Sequence, residues 1–205
     1  MKNKKLVIIG VGGHGKVCKE IAELCGYSVS FLDERQIEGL NVVGRPDEWK
    51  SFAENSELFV AIGNNAVRQR FINEITAEGG TIATLIHPAS TVSSYAKVER
   101  GCVVMAGSVV NPFAVIGEGT IINTQSSVDH DCTLSSCCHV SVGAHLAGTV
   151  SVGQRTMIGA GATVINNISI CEDVTIGAGA VVVRDICEPG CYIGVTAKKI
   201  GGRND

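Results

Sequence analysis

The stretch VMAGSVVNPFAVIGEGTIINTQSSV, residues 104–128, carries an apolar residue at every sixth position: Val104, Val110, Ile116, Ile122 and Val128. The register extends in both directions without a skip, back through Val98 and Val92 to Ile86 and on through Leu134, Val140, Leu146, Val152, Ile158, Val164, Ile170 and Ile176 to Val182. With 45% of the chain apolar, seventeen hits in one chosen register arise by chance on the order of once in a million. A period of six fits neither an amphipathic helix nor a plain alternating strand. It fits a chain that makes a short strand, turns and repeats. Four residues after the anchor a second inward position is filled by small residues such as Ala96, Cys102, Ser108, Ala114, Thr120, Ser126, Cys132, Cys138, Ala144, Thr156, Ala162 and Ala180. Large anchors and small fillers stack in layers inside a narrow coil. Gly117, Gly153, Gly159 and Gly177 directly follow an anchor, where a side chain would crowd a tight corner. No anchor is displaced, so no long insertion interrupts the coil, and functional groups must lie on its surface.

Upstream the pattern changes. Leu6-Val7-Ile8-Ile9 reads as a buried strand, followed by Gly10-Val11-Gly12-Gly13-His14-Gly15 and a helix through Cys25 that turns Val17, Ile21 and Leu24 inward. Tyr27 to Leu32 is a second strand ending in Asp33-Glu34; Ser56 to Ile62 is a third, closed by Gly63-Asn64-Asn65 before a helix over 66–77. This alternation makes a small Rossmann-like half. Residues 1–85 form that domain, 86–187 the coil and 188–205 an irregular tail with a disordered Gly-Gly-Arg-Asn-Asp end. The glycines satisfy GxGxxG, but about 85 residues hold one mononucleotide unit, too little for the usual dinucleotide fold. Amides at a helix start cradle any phosphate, so a nucleotide or nucleotide sugar is the expected ligand rather than NAD.

Composition sets the outer bounds. Seventeen basic and twenty acidic residues give a net charge of -3 with no dense Lys or Arg run, which excludes nucleic acid as a natural partner. Nine cysteines without a leader before residue 6, three of them on the inward filler position, point to a reduced, cytoplasmic protein. No CxxC spacing supports a metal site, and no apolar run is long enough for membrane insertion.

The densest polar constellation is Asn123-Thr124-Gln125-Ser126-Ser127-Val128-Asp129-His130-Asp131, followed by His139, Gly143, His145 and Gly148. Histidine is the natural general base near neutral pH, and a neighbouring carboxylate fixes its tautomer. Asp129 and Asp131 compete for that place beside His130. His139, half a coil onward, is expected to border the same groove. Glu99-Arg100-Gly101 and Glu118-Gly119 read as solvated corners, and Asn111-Pro112-Phe113 as a projecting one.

The glycine loop, the Phe31-Leu32-Asp33-Glu34 strand end, the 123–131 segment and the 139–148 segment together resemble the sugar O-acyltransferase family that includes sialic acid O-acetyltransferase, over about residues 5 to 200. Within it the chain is most similar to bacterial UDP-4-amino-sugar N-acetyltransferases of the bacillosamine type, enzymes of glycan biosynthesis. The resemblance implies a left-handed parallel β-helix behind the Rossmann-like domain. It implies acetyl-CoA as cosubstrate, no metal, and a homotrimer with active sites between subunits. His130 matches the catalytic base and Asp131 an acidic residue, often Glu, that supports it. His139, Gly148, Ala160 and Ala178 match acetyl-CoA contacts, and Gly12, Gly13, His14, Asp33, Glu34 and Gly63 match positions around the nucleotide sugar. Gly12 stands where a close relative has Ser, Ala178 where one has Gly, and Thr196 where proline is frequent. The implied activity is N-acetylation of the 4-amino group of a UDP-linked amino-deoxysugar. Alternatives are a GDP-linked amino sugar, O-acetylation of sialic acid, a small free acceptor, or a non-catalytic trimeric scaffold or sensor.

Overall fold

A computed structural model describes residues 4–200. Strand β1 (Lys4–Ile9), helix α1 (Gly13–Leu24), β2 (Tyr27–Leu32), β3 (Val42–Gly44), a 3-10 turn at Pro46–Trp49, α2 (Lys50–Ala53), β4 (Glu57–Val60) and α3 (Asn65–Ala77) form the N-terminal α/β unit. Its strands are parallel in the order β3-β2-β1-β4. Leu6 to Ile9 are buried on both faces, which is why β1 reads as an unbroken apolar run. The sequence pattern did not reveal β3, whose three residues are too few to show a period.

The inward set expected for α1 holds at Ile21 alone. Val17 and Leu24 are 39% and 55% exposed, and Cys18, Ile21 and Ala22 face the sheet instead. Gly15 sets this rotation of the helix: a Cβ on it would stand 2.0 Å from the Gly10 carbonyl oxygen, so the helix start and the β1 end are in backbone contact.

From Leu85–Ile86 onward the chain winds as a left-handed parallel β-helix. Each short strand pairs in parallel with the one eighteen residues on, as Ile121 with His139 and Ile122 with Val140. Three hexads therefore close one triangular coil with three faces. The first face includes Val103–Val104, Ile121–Ile122, His139–Val140, Met157–Ile158 and Val174–Ile176; the second includes Val109–Val110, Ser127–Val128, His145–Leu146 and Thr163–Val164; the third includes Val115–Ile116, Thr133–Leu134 and Ser151–Val152. From Val104 on, the sixth-position anchors fill the interior. The polar fillers among them satisfy the backbone: Cys102, Cys132 and Cys138 donate Sγ–H to the carbonyls of Gly117, Ala147 and Gly153, as Thr120 and Thr156 donate to Ser135 and Cys171. Every cysteine is a free thiol.

The α/β unit docks on the first face and on the corner between the third and first faces. Val103, Met105 and Ile121 join the core beneath α1, and Cys137 joins the one beneath α3, while adjacent Cys138 points into the coil. This docking corrects the reading of two corners as solvated. Gly101 and Gly119 are buried, and a Cβ on Gly119 would lie 2.4 Å from Ile72 Cδ1. The solvent-facing flank of that corner is closed by an Arg100–Glu118 ion pair.

The tail also departs from expectation. Gly190–Ile193 pairs in parallel with Val174–Ile176, and Lys198–Ile200 returns antiparallel to it, so the segment caps the first face as two further strands. Lys199 pairs with Glu188 at 2.7 Å. The 201–205 end lies outside the described residues. Among the described residues no helix is long and apolar enough to cross a membrane.

Candidate active site

His130 occupies the corner between the second and third faces, stacked between Pro112 and Gly148 of the neighbouring coils, as shown by the Asp131 N–H donating to the Pro112 carbonyl and the Thr149 N–H to that of His130. The residue after each corner adopts left-handed backbone: Phe113 at φ 64°, Asp131 at 59°, Thr149 at 61° and Asn167 at 60°. Asp is among the side chains that tolerate this conformation best. The turn also decides which carboxylate serves the imidazole. Asp131 turns back and its Oδ2 lies 2.7 Å from His130 Nδ1, while Asp129 Oδ1 accepts from the His130 backbone N–H at 2.7 Å and from Asn111 Nδ2 at 2.8 Å. Both carboxylates thus act on His130, one on the ring and one on the backbone, where the sequence left them competing. An aspartate, one methylene shorter than glutamate, makes this contact because it is adjacent in a turn.

With a carboxylate accepting from Nδ1, Nε2 carries a free lone pair. The Asp131 hydrogen bond, ahead of the Asp129 charge, raises the His130 pKa above its ordinary value, and the imidazole is 58% exposed. Asp129 is held below the usual carboxylate range, chiefly by the backbone N–H of His130. Across the ring edge lies Gly148, where a Cβ would stand 2.5 Å from both Nε2 and Cε1. Among the described residues the Gly148 N–H has no hydrogen-bond acceptor, whereas the equivalent N–H of His130 is taken by the Asp129 side chain. Ala147 precedes Gly148 and offers no such oxygen. The corner therefore presents a base, a gap with no side chain, and a spare donor.

The α/β unit gathers its candidates at the carboxyl ends of its parallel strands. β2 and β3 lie on one side of β1 and β4 on the other, so the topological switch point falls between the loops after β1 and β4, the place where open α/β sheets bind ligands. Gly12, Gly13 and Gly63 line it with no neighbour near a would-be Cβ, while Gly10, at φ 104° against the Ala61 carbonyl, is demanded by the fold. The loop's glycines thus divide into structural and open ones. Asp33 accepts from the Val11 N–H at 2.8 Å and from Arg35, whose hydrogen bond leads in holding the carboxyl down to about 2. Asp33 consequently anchors the glycine loop as an ionised group. Glu34 is exposed and lies 3.6 Å from Arg45.

His14, at the start of α1, and His139, on the first face, flank the junction between this unit and the coil. Burial, reinforced by the Arg68 charge, pushes both down to about 4, so both are neutral at pH 7. The Asn123 side chain lies 3.1 Å from His139 Nε2; its Oδ1 already accepts from the Thr124 N–H, which leaves its NH2 to donate. Ala160 and Ala178 are stacked and exposed on the corner between the first and second faces, where Gly161 and Gly179 make the turns. Small residues here, and no side chain at Gly148, leave the backbone accessible.

The expectation that His130 and His139 border one groove fails within a single chain. Half a turn of a triangular prism leads from a corner to the opposite face, and His139 lies on the first face while His130 projects between the other two. The sequence also gave no place to Arg68. Its signal was present: Arg68 falls in register with Phe71, Ile72 and Ile75 on the buried stripe of α3, where a charge demands partners.

A prism of hexapeptide coils carrying an exposed His–Asp pair, with a nucleotide-type crevice docked on one face, defines a hexapeptide-repeat transferase. Residues 5–75 match the family model described as the PglD N-terminal domain, and residues 149–184 match the bacterial transferase hexapeptide model. The acetyltransferase domain of PglB from Neisseria gonorrhoeae FA1090, solved in complex with acetyl coenzyme A, is 41% identical with a TM-score of 0.93, covering 97% of this chain and all of that one. PerB from Caulobacter crescentus, solved in complex with CoA and GDP-perosamine, is 42% identical with a TM-score of 0.92, covering 96% of this chain and 97% of that one. UDP-N-acetylbacillosamine N-acetyltransferase of Bacillus subtilis (strain 168) is 34% identical over 112 residues, 50% of this chain and 52% of the other. The chain belongs to the hexapeptide-repeat acetyltransferase family of these proteins, and it is an acetyl-CoA-dependent acyltransferase.

Proposed function

We propose that this protein transfers the acetyl group of acetyl-CoA to the 4-amino group of a UDP-linked amino-deoxysugar in surface glycan synthesis, with His130 as general base and Asp131 orienting it. The observation that carries the reading is the His130 corner: Nδ1 tied to Asp131 at 2.7 Å, Nε2 free, and Gly148 leaving room beside it. The amine arrives with its lone pair free and attacks the thioester carbonyl. As the C–N bond forms, His130 Nε2 takes the proton that nitrogen sheds, and Asp131 steadies the imidazolium. The unpartnered Gly148 N–H faces the developing oxyanion. The C–S bond then breaks, and coenzyme A leaves as a thiolate that accepts the proton from His130 or water.

The separation of the crevice from His130 on opposite sides of the prism supports a homotrimer in which the crevice and His139 of one chain face His130 of another. A GDP-linked amino sugar is the second reading, favoured by the 42% likeness to PerB, whose structure holds GDP-perosamine. Incubating the protein with acetyl-CoA and a panel of UDP-4-amino, GDP-4-amino and sialic sugars, and reading product mass, separates them. One acetyl gained on the UDP sugar and lost in His130→Ala supports the leader. Preference for the GDP sugar moves the nucleotide but keeps the chemistry. No gain on any amino sugar sinks both.

A further inference from the structure

Arg68 is 1% exposed and, among the described residues, its charge has no carboxylate partner. Its donors go to oxygens of both structural units. Nη1 donates to the carbonyls of Ile62 at 2.9 Å and Gly63 at 3.3 Å in the loop that follows β4, and Nη2 to Asn65 Oδ1 at 2.7 Å at the start of α3. Nε donates to the Gly119 carbonyl at 2.7 Å, and Nη2 also reaches those of Cys137 and Cys138 at 2.9 and 3.2 Å, in two successive coils. Cys138 immediately precedes His139. Desolvating a guanidinium without a counter-ion is costly, and a planar fork of five N–H groups is the side chain that spreads such a charge over several carbonyl dipoles.

We propose that Arg68 is a positioning residue for catalysis: it ties the Gly63 loop of the nucleotide crevice and the coil segment leading into His139 into one rigid frame. The assignment rests on the proposed reading of Gly63 as a nucleotide-sugar contact and of His139 as a cofactor contact. Packing alone does not explain the choice of residue, because Ile72 already seals the corner at Gly119 and an apolar side chain at 68 would extend the stripe of Phe71, Ile72 and Ile75. Among the described residues the carbonyls of Gly63 and Gly119 accept from no other backbone N–H, so Arg68 is what aims them. Its charge has a second effect. His139 faces Arg68 from α3, His14 from α1 and the Asn123 amide from the preceding coil; after burial itself, Arg68 is the larger influence keeping His139 neutral, with His14 adding less.

The test uses the full chain with Arg68→Lys and Arg68→Met, the UDP- and GDP-4-amino sugars as probes, and three readouts: KM for each substrate, the His139 imidazole titration by NMR, and amide hydrogen exchange over residues 62–66. Lysine keeps the charge but concentrates its donors on one nitrogen, so it cannot span both units. It should raise KM for the nucleotide sugar about tenfold, the effect of losing one hydrogen bond to a charged group, and speed exchange in the loop while the His139 midpoint stays low. Methionine should do both and also raise the His139 midpoint. A fall in Tm with KM, exchange and the His139 midpoint unchanged would reduce Arg68 to a structural residue and overturn the proposal. Should the methionine variant fail to fold, the lysine variant decides by KM and exchange. If the wild-type protein acetylates no amino sugar, the functional reading fails on its own, and unchanged exchange and titration in the variants are then the result that overturns the Arg68 assignment.

Discussion

Replacing Gly148 with alanine probes the link between the corner's shape and its chemistry. The new Cβ would stand 2.5 Å from Nε2 and Cε1 of His130, where ordinary contact begins at 3.4 Å, so the ring must retreat by about 1 Å. A displacement of that size costs about 100-fold in a positioned reaction, or about 2.7 kcal/mol of transition-state stabilisation. The fold should not suffer with it. Gly148 is not among the positive-φ glycines, and the imidazole, 58% exposed, can swing into solvent without repacking the coil. Alanine also restricts the unfolded chain, which adds about 0.4–1 kcal/mol of stability where the backbone is compatible. The expected signature is kcat/KM down about 100-fold with Tm unchanged or up by about 1–4 °C, read by thioester-loss kinetics and differential scanning fluorimetry. Activity within twofold of wild type would refute the placement of the base beside Gly148. A Tm lowered by more than about 5 °C would show that the coil itself requires glycine there.

Three further outcomes follow from particular contacts. Asp131→Asn removes the interaction that raises the His130 pKa; since the base is active only when deprotonated, the acid limb of the kcat/KM profile should move to lower pH while the plateau falls about 10- to 100-fold, and an unmoved limb would mean another group titrates there. Gly15→Ala sets a Cβ 2.0 Å from a backbone oxygen that has nowhere to go and should cost about 3 kcal/mol or more, whereas Gly12→Ser, with no atom within 4 Å of its Cβ, should leave Tm unchanged; equal Tm values for the two would contradict the division of the loop into structural and open glycines. Cys138→Ser should lower stability by no more than about 1 kcal/mol, because a hydroxyl can donate to the Gly153 carbonyl as Thr120 and Thr156 do at the same repeat position; a loss beyond about 3 kcal/mol in urea melts would show that the thiol is held by apolar packing alone.

Read in one dimension, the chain revealed its coil because each hexad repeats the same local problem: one large side chain in, one small one four residues on, and a turn between. That regularity predicts a narrow repeating coil from spacing, its triangular form being what the family resemblance implies, and it located His130 as a polar residue on a surface whose interior is already filled. Where neighbours in sequence are neighbours in space, the reading succeeded; the contact of Asp131 with His130 was accessible because the two are adjacent, although only the left-handed turn at 131 chose Asp131 over Asp129 for the ring. Errors arose where long-range docking decides. The rotation of α1 depends on Gly15 meeting the Gly10 carbonyl, the burial of Gly101 on Ile82 and of Gly119 on Ile72 of α3, and the ordering of the tail on an open sheet edge at Val174–Ile176.

Sequence by itself thus determined the coil, the small α/β unit before it and the adjacency of His130 and Asp131, since periodicity and short motifs are local properties of a chain. Tertiary structure alone decided that His130 and His139 face away from each other across the prism and, among the described residues, that an arginine between the two units has only carbonyls and an amide for partners and that the spare N–H of the corner belongs to Gly148. Those facts depend on which residues separated by tens of positions come into contact, and a hydrophobic period carries no record of that.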